Sequence, residues 1–93
     1  MADIELSRSH SLGVEDGRAA VNRVARDLGE NLSIDTHWRE NTLHFEGSGA
    51  EGRIVVADDE VHVRIDLSFF LRPMRSRIRS EATRYLDQHL GDG

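Results

Sequence analysis

Five histidines, twelve arginines and seventeen carboxylates are the groups in this 93-residue chain that could bind an ion or move a proton. Lysine and cysteine are absent, so there is no thiol nucleophile, thiolate zinc site or disulfide framework, as suits a reducing cytosol. Among the histidines, His37 and His44 are the pair with chemical promise. His37 alternates with Thr36 and Trp38 and His44 with Leu43 and Phe45, and two imidazoles on directly opposed strand positions could share a metal or titrate near neutral pH. Pairing Glu46 with Arg53 across the glycine-rich loop puts Val55 between that pair and His62, so a third ligand is missing and no metal site is expected. The same register aligns Asp35, Glu46, Arg53 and Arg64 in one row of facing charges. Such a row keeps an uncovered sheet face solvated; its rival reading is a dimer interface.

Catalytic patterns are missing. The sequence has no nucleophile elbow, no H-E-x-x-H and no glycine-rich phosphate loop, and its carboxylates fall in patterns that read as solvent-facing. Ser9-His10-Ser11 brings hydroxyls and an imidazole together, but adjacency in sequence is not triad geometry, and these residues read as a strand end and a helix cap. No catalytic residue, cofactor or metal is expected.

The dense charge cluster is Arg72, Arg75, Arg77 and Arg79 at the start of a helix. Spacing brings Arg72, Arg75 and Arg79 together, with Arg77 further round. A helix start favours anions, so a phosphate, an acidic partner or a nucleic-acid backbone could bind, although a charge run is usually a solvated face. The formal charge of −5 excludes a protein that covers phosphates with its whole surface, and scarce aromatics argue against base stacking. Nucleic acid is not an expected partner. Phe69 and Phe70 are adjacent, so at least one points away from the core, and an exposed aromatic beside arginines suits a protein or other apolar surface.

The elements that position these residues follow from periodicity. Ile4 and Leu6 alternate with Glu5 and Ser7 as a short first strand. From Val14, the residues Val21, Val24, Ala25, Leu28 and Leu32 recur at helical spacing, with Glu15 and Asp16 in the first turn and Gly29 as the stop. Gly17 inside that helix costs about 1 kcal/mol against alanine, which points to close packing on a strand. Ile34, Thr36 and Trp38, then Leu43 and Phe45, make a hairpin about Glu40-Asn41, with Trp38 opposite Leu43. After the loop Gly47 to Gly52, a second hairpin turns at Asp58-Asp59, with Ile54 and Val56 answering Val61, Val63, Ile65 and Leu67. Pro73 suits the first turn of a final helix, whose apolar face is Met74, Ile78, Ala82, Tyr85, Leu86 and Leu90. The expected fold is α+β, strand-helix-four-strand meander-helix, with both helices on one face of an antiparallel sheet and residues 1–93 forming one domain frayed at 91–93.

Neither a secretory pattern nor a run of about 18 apolar residues occurs, so a soluble, cytoplasmic protein without a membrane span is expected. Trp38, Phe45 and Tyr85 could line a pocket for a hydrophobic ligand between helices and sheet, as in a hydrolase-like enzyme. Their ordinary reading is core.

Taken in order, His10-Ser11-Leu12-Gly13 ahead of an alanine-rich helix, Trp38, Leu43-His44-Phe45, Gly49-x-x-Gly52 and Phe70-Leu71-Arg72-Pro73 form a pattern. It resembles the putative polyhydroxyalkanoic acid system protein family over nearly the whole chain. That resemblance implies a bacterial polyhydroxyalkanoate context, at the storage granule or in its regulation, and brings no catalytic residues with it. The resulting expectation is a non-enzymatic accessory or binding protein that contacts the granule or a granule-associated protein through Phe69, Phe70, Arg72, Arg75 and Arg79, or through the open sheet face. A homodimer is expected from that unoccupied face or a sheet edge.

Overall fold

The computed structural model describes residues 2–31 and 33–90. Its elements are β1 (Ile4–Ser9), α1 (Gly13–Asn31), β2 (Asp35–Arg39), β3 (Thr42–Gly47), β4 (Ala50–Val56), β5 (Glu60–Leu67), a 3-10 turn over Arg72–Met74, and α2 (Arg75–Leu90). The five strands form one antiparallel sheet in the order β1-β5-β4-β3-β2, so β1 returns to close the meander at its β5 edge. The fold is the expected α+β arrangement, with both helices against one sheet face.

Strand alternation decides which face that is. Two adjoining rows, Trp38–Leu43–Ile54–Val63–Leu6 and Phe45–Gly52–Ile65–Ile4, run across the strands on the inner face. With Val56, Val61 and Leu67 they meet Ala20, Val21 and Val24 of α1 and Leu86 and Leu90 of α2 in one buried cluster. Each fully buried aliphatic side chain contributes about 1.5–3 kcal/mol. An exposed pair such as Arg8–Asp87, 3.0 Å apart between β1 and α2, contributes at most about 1 kcal/mol, so packing dominates.

Three details of the expected elements change. Helix α1 runs past Gly29 to Asn31, because a single glycine disfavours a helix by only about 1 kcal/mol; Leu32 lies outside the described residues, as do 91–93. Met74 belongs to the 3-10 turn and is 44% exposed rather than core, since Pro73 tightens the chain before α2 begins. The third change concerns the sheet. Gly47 pairs with Ala50, leaving Ser48 and Gly49 as a two-residue turn with φ of 53° and 85°, and Glu46 therefore faces Glu51 rather than Arg53. Both turn residues at positive φ match the strand twist, which lets the hairpin close tightly instead of through a six-residue loop.

His10, expected only as part of a cap, is 6% exposed and uses both ring nitrogens. Nδ1 accepts the Leu12 N–H at 3.1 Å, which leaves Nε2 to carry the proton and donate to the Ala57 carbonyl at 3.1 Å. The ring thereby ties the entry of α1 to the β4–β5 turn. Gly17 sits against it: a Cβ there would lie 2.9 Å from Val56 Cγ1 and 3.1 Å from His10 Cε1. Helix propensity favours alanine by about 1 kcal/mol, while overpacking costs about 1–3 kcal/mol. Gly17→Ala should therefore lower the unfolding free energy by up to about 2 kcal/mol in urea titration; a stabilised variant would contradict this packing.

Candidate functional site

Where β5 ends, at buried Leu67, the chain crosses the tip of the β3–β4 hairpin. The Ser68 N–H donates to the Gly49 carbonyl at 2.9 Å, and the Leu71 N–H turns back to the Ser68 carbonyl at 2.9 Å. A Cβ on Gly49 would fall 2.8 Å from Phe70 Cζ and 3.0 Å from Leu71 Cδ1. The absence of that Cβ lets the Ser68–Leu71 segment lie directly on the turn. Asp3 holds the other side: Oδ2 accepts the Leu67 N–H at 2.8 Å, and Oδ1 stands 3.6 Å from Arg72 Nε. This carboxylate is thus mostly covered and structural, against the expectation that all face solvent.

The segment so held displays its aromatics outward. Phe69 is 79% and Phe70 61% exposed, and their rings meet edge to face with centroids 6.2 Å apart. Exposed Met74 follows immediately. Leu71 alone of this run turns inward, packing on the core. Arg72, Arg75, Arg77 and Arg79 are all exposed. Arg72 is engaged with Asp3, whereas among the described residues Arg75, Arg77 and Arg79 have no ion-pair partner. The result is an apolar and cationic patch on a backbone fixed at both ends. Sequence reasoning missed Met74 as part of it. The signal was Pro73, which displaces the preceding turn from the face of α2.

On the opposite side of the sheet the corrected register redistributes the charges. The outer rows are Asp35–Glu46–Glu51–Asp66, wholly acidic, and beside it His37–His44–Arg53–Arg64, ending at Glu5 on β1. The mixed row Asp35, Glu46, Arg53 and Arg64 does not form, because Arg53 lies two residues further along β4. A concavity of about 350 Å³ lies over these rows, lined by His37, His44, Glu51, Arg53, Arg64 and Asp66 among others. It is therefore on the uncovered face and not beneath the helices, where Trp38, Phe45 and Tyr85 pack against the core. Trp38 is further closed by α1: its Nε1 donates to Asn22 Oδ1 at 2.6 Å, and the Arg18 guanidinium lies 4.7 Å from the ring centre.

His37 and His44 do oppose each other, stacked with centroids 5.1 Å apart and planes 14° from parallel. His62 lies in a different row, opposite Val55 and Ser7, where its Nδ1 is 3.0 Å from Ser7 Oγ and its Nε2 2.5 Å from Glu60. No group of three histidine or carboxylate side chains among the described residues is placed to hold a metal ion. None of the described helices is long and apolar enough to cross a membrane.

Comparison with known proteins adds one match: the family model described as putative polyhydroxyalkanoic acid system protein covers residues 4–90. No curated protein matches, and no solved structure does.

The histidine geometry carries a prediction. Two stacked rings without a third ligand make a poor zinc site, so the thermal midpoint should be the same with and without a chelator. A fall of many degrees on chelation would overturn this reading.

Proposed function

From the premise that the chain belongs to the putative polyhydroxyalkanoic acid system protein family, we propose that it is a non-enzymatic accessory protein of the bacterial polyhydroxyalkanoate store, cytoplasmic and docked on the granule or a granule-associated protein. Its contact surface is Phe69, Phe70 and Met74 with Arg72, Arg75 and Arg79. The observation that carries this reading is the pair of adjacent phenylalanines held outward beside Arg75 and Arg79, which form no ion pair among the described residues. Exposed apolar clusters of this kind, rimmed by charge, favour contact with another surface. A second copy of the chain is part of the same proposal, on a different face.

Magnitudes divide the work between the two residue types. Burying a phenylalanine contributes about 1.5–3 kcal/mol, so Phe69 and Phe70 supply most of the affinity. Arginines at an exposed rim act over about 8 Å at physiological ionic strength, and they steer and orient more than they hold.

Retention on isolated granules at two salt concentrations tests both. Replacing Phe69 and Phe70 by serine should lower retention at least about tenfold at either salt, given the apolar area removed. Replacing Arg72, Arg75 and Arg79 by glutamine should weaken binding at low salt and remove most of its salt dependence. Exposed arginines contribute little stability, so circular dichroism should show folded variants. Equal, salt-insensitive retention of all three folded proteins would exclude this patch as the contact.

A further inference from the structure

The open face of the sheet bears a charge pattern that is unfavourable within one chain. Glu46 faces Glu51, which faces Asp66; in the next row Arg53 faces Arg64. Like charges directly opposed on neighbouring strands are destabilising. Within the chain only Arg64 has an opposite charge directly across from it, Glu5 on β1, and among the described residues Asp35, Glu46, Glu51, Asp66, Arg53 and Arg64 form no ion pair. A row of four carboxylates and a row of two imidazoles and two guanidiniums run side by side across the same four strands, β2 to β5. Alternate residues on a strand separate them by about 6.6 Å.

We infer that this face is the interface of a symmetric dimer in which the acidic row of each copy lies on the cationic row of the other. The symmetry follows from the rows. A two-fold axis parallel to them, midway between the acidic and cationic rows and between the two sheets, exchanges the rows while keeping each strand over its own counterpart. Asp35 then faces His37 of the second copy, Glu46 faces His44, Glu51 faces Arg53 and Asp66 faces Arg64. The two-fold doubles each of these pairings. Such an interface is isologous, as closed dimers require, and the strands run nearly aligned, the usual packing of two twisted sheets. The concavity over Arg53, Arg64, Glu51 and Asp66 gives the long side chains of the second copy room to reach across.

Area and chemistry set the strength. Five strands about 4.8 Å apart and about five residues long give a projected face of roughly 300 Å² per copy, well below the roughly 800 Å² of a standard interface. The dimer is therefore weak and held by charge, forming at micromolar to sub-millimolar concentration and dissociating as salt is raised. It uses none of the Phe69–Arg79 patch, so its success or failure is independent of the granule contact.

Charge exchange provides the test, read by sedimentation with circular dichroism as the folding control. Wild type should be dimeric at low salt and monomeric at high salt. Arg53→Glu/Arg64→Glu makes both rows acidic on β4 and β5, and Glu51→Arg/Asp66→Arg makes both rows basic on those strands, so like charges meet across the interface and each variant alone should be monomeric. Mixed together they should form a heterodimer, because positions 51, 53, 64 and 66 of each copy then meet the opposite charge on the other. The fourfold variant, which exchanges the charges within one chain, should restore the homodimer and keeps the test decisive where a double variant fails to fold. A wild type that is monomeric at low salt overturns the proposal. So does a dimer that both double variants leave intact, which would place the contact at an edge or on the aromatic patch.

Discussion

The turn at Ser48 and Gly49 holds two successive residues at positive φ, and the register of β3 on β4 follows from it. A slip of two residues would leave every apolar side chain on the inner face, because strand side chains alternate with period 2. On the outer face the same slip exchanges neighbours. With the tight turn, carboxylates line up with carboxylates, and imidazoles and guanidiniums with each other; with a longer loop Asp35 and Glu46 would share one row with Arg53 and Arg64. The backbone of two small residues thus sets the electrostatics of a whole face. Phe45 confirms the register from inside, its ring lying over Gly52, where a Cβ would come within 2.9 Å of Cζ.

The same turn supports the second surface. Gly49 accepts the Ser68 N–H and leaves room for Phe70 and Leu71, so the hairpin tip is the platform on which Phe69 and Phe70 stand. An exposed aromatic pair on a loose loop would lose side-chain and backbone freedom when it docks, at about 1–2 kcal/mol per ordered residue. Here that order is present beforehand. Asp3 contributes from the far side, joining β1, the end of β5 and Arg72.

Helix placement depends on small residues and one imidazole. Gly17, Ala20 and Val21 present a flat strip that lets α1 approach the sheet, and His10 supplies hydrogen bonds to a helix entry and a turn that would otherwise leave two backbone groups unsatisfied. At the other end, His89 Nε2 donates to Asp27 Oδ2 at 2.8 Å and joins α2 to α1. The helices are therefore located by packing and fastened at their ends.

The α+β order, the two hairpins, the inner-face residues and the close approach at Gly17 were all legible in the sequence, because period-2 and period-3.6 alternation report directly which side chains meet water. Phe69 and Phe70 were legible in part: adjacency in an irregular segment showed that one must leave the core, and only the folded Ser68–Leu71 segment, laid on the Gly49 turn, shows both outside. Met74 was misread because helical spacing was extended back across Pro73. The open-face rows were beyond the reach of pattern alone. Two registers satisfy the same apolar alternation, and choosing between them requires the dihedral angles of the Ser48–Gly49 turn, which are a property of the folded chain. His10 was likewise undecidable from its serine neighbours, since its role depends on Ala57, 47 residues away. Local alternation fixes the face a side chain points to; which side chains it meets there is decided only when strands distant in sequence are brought into one register.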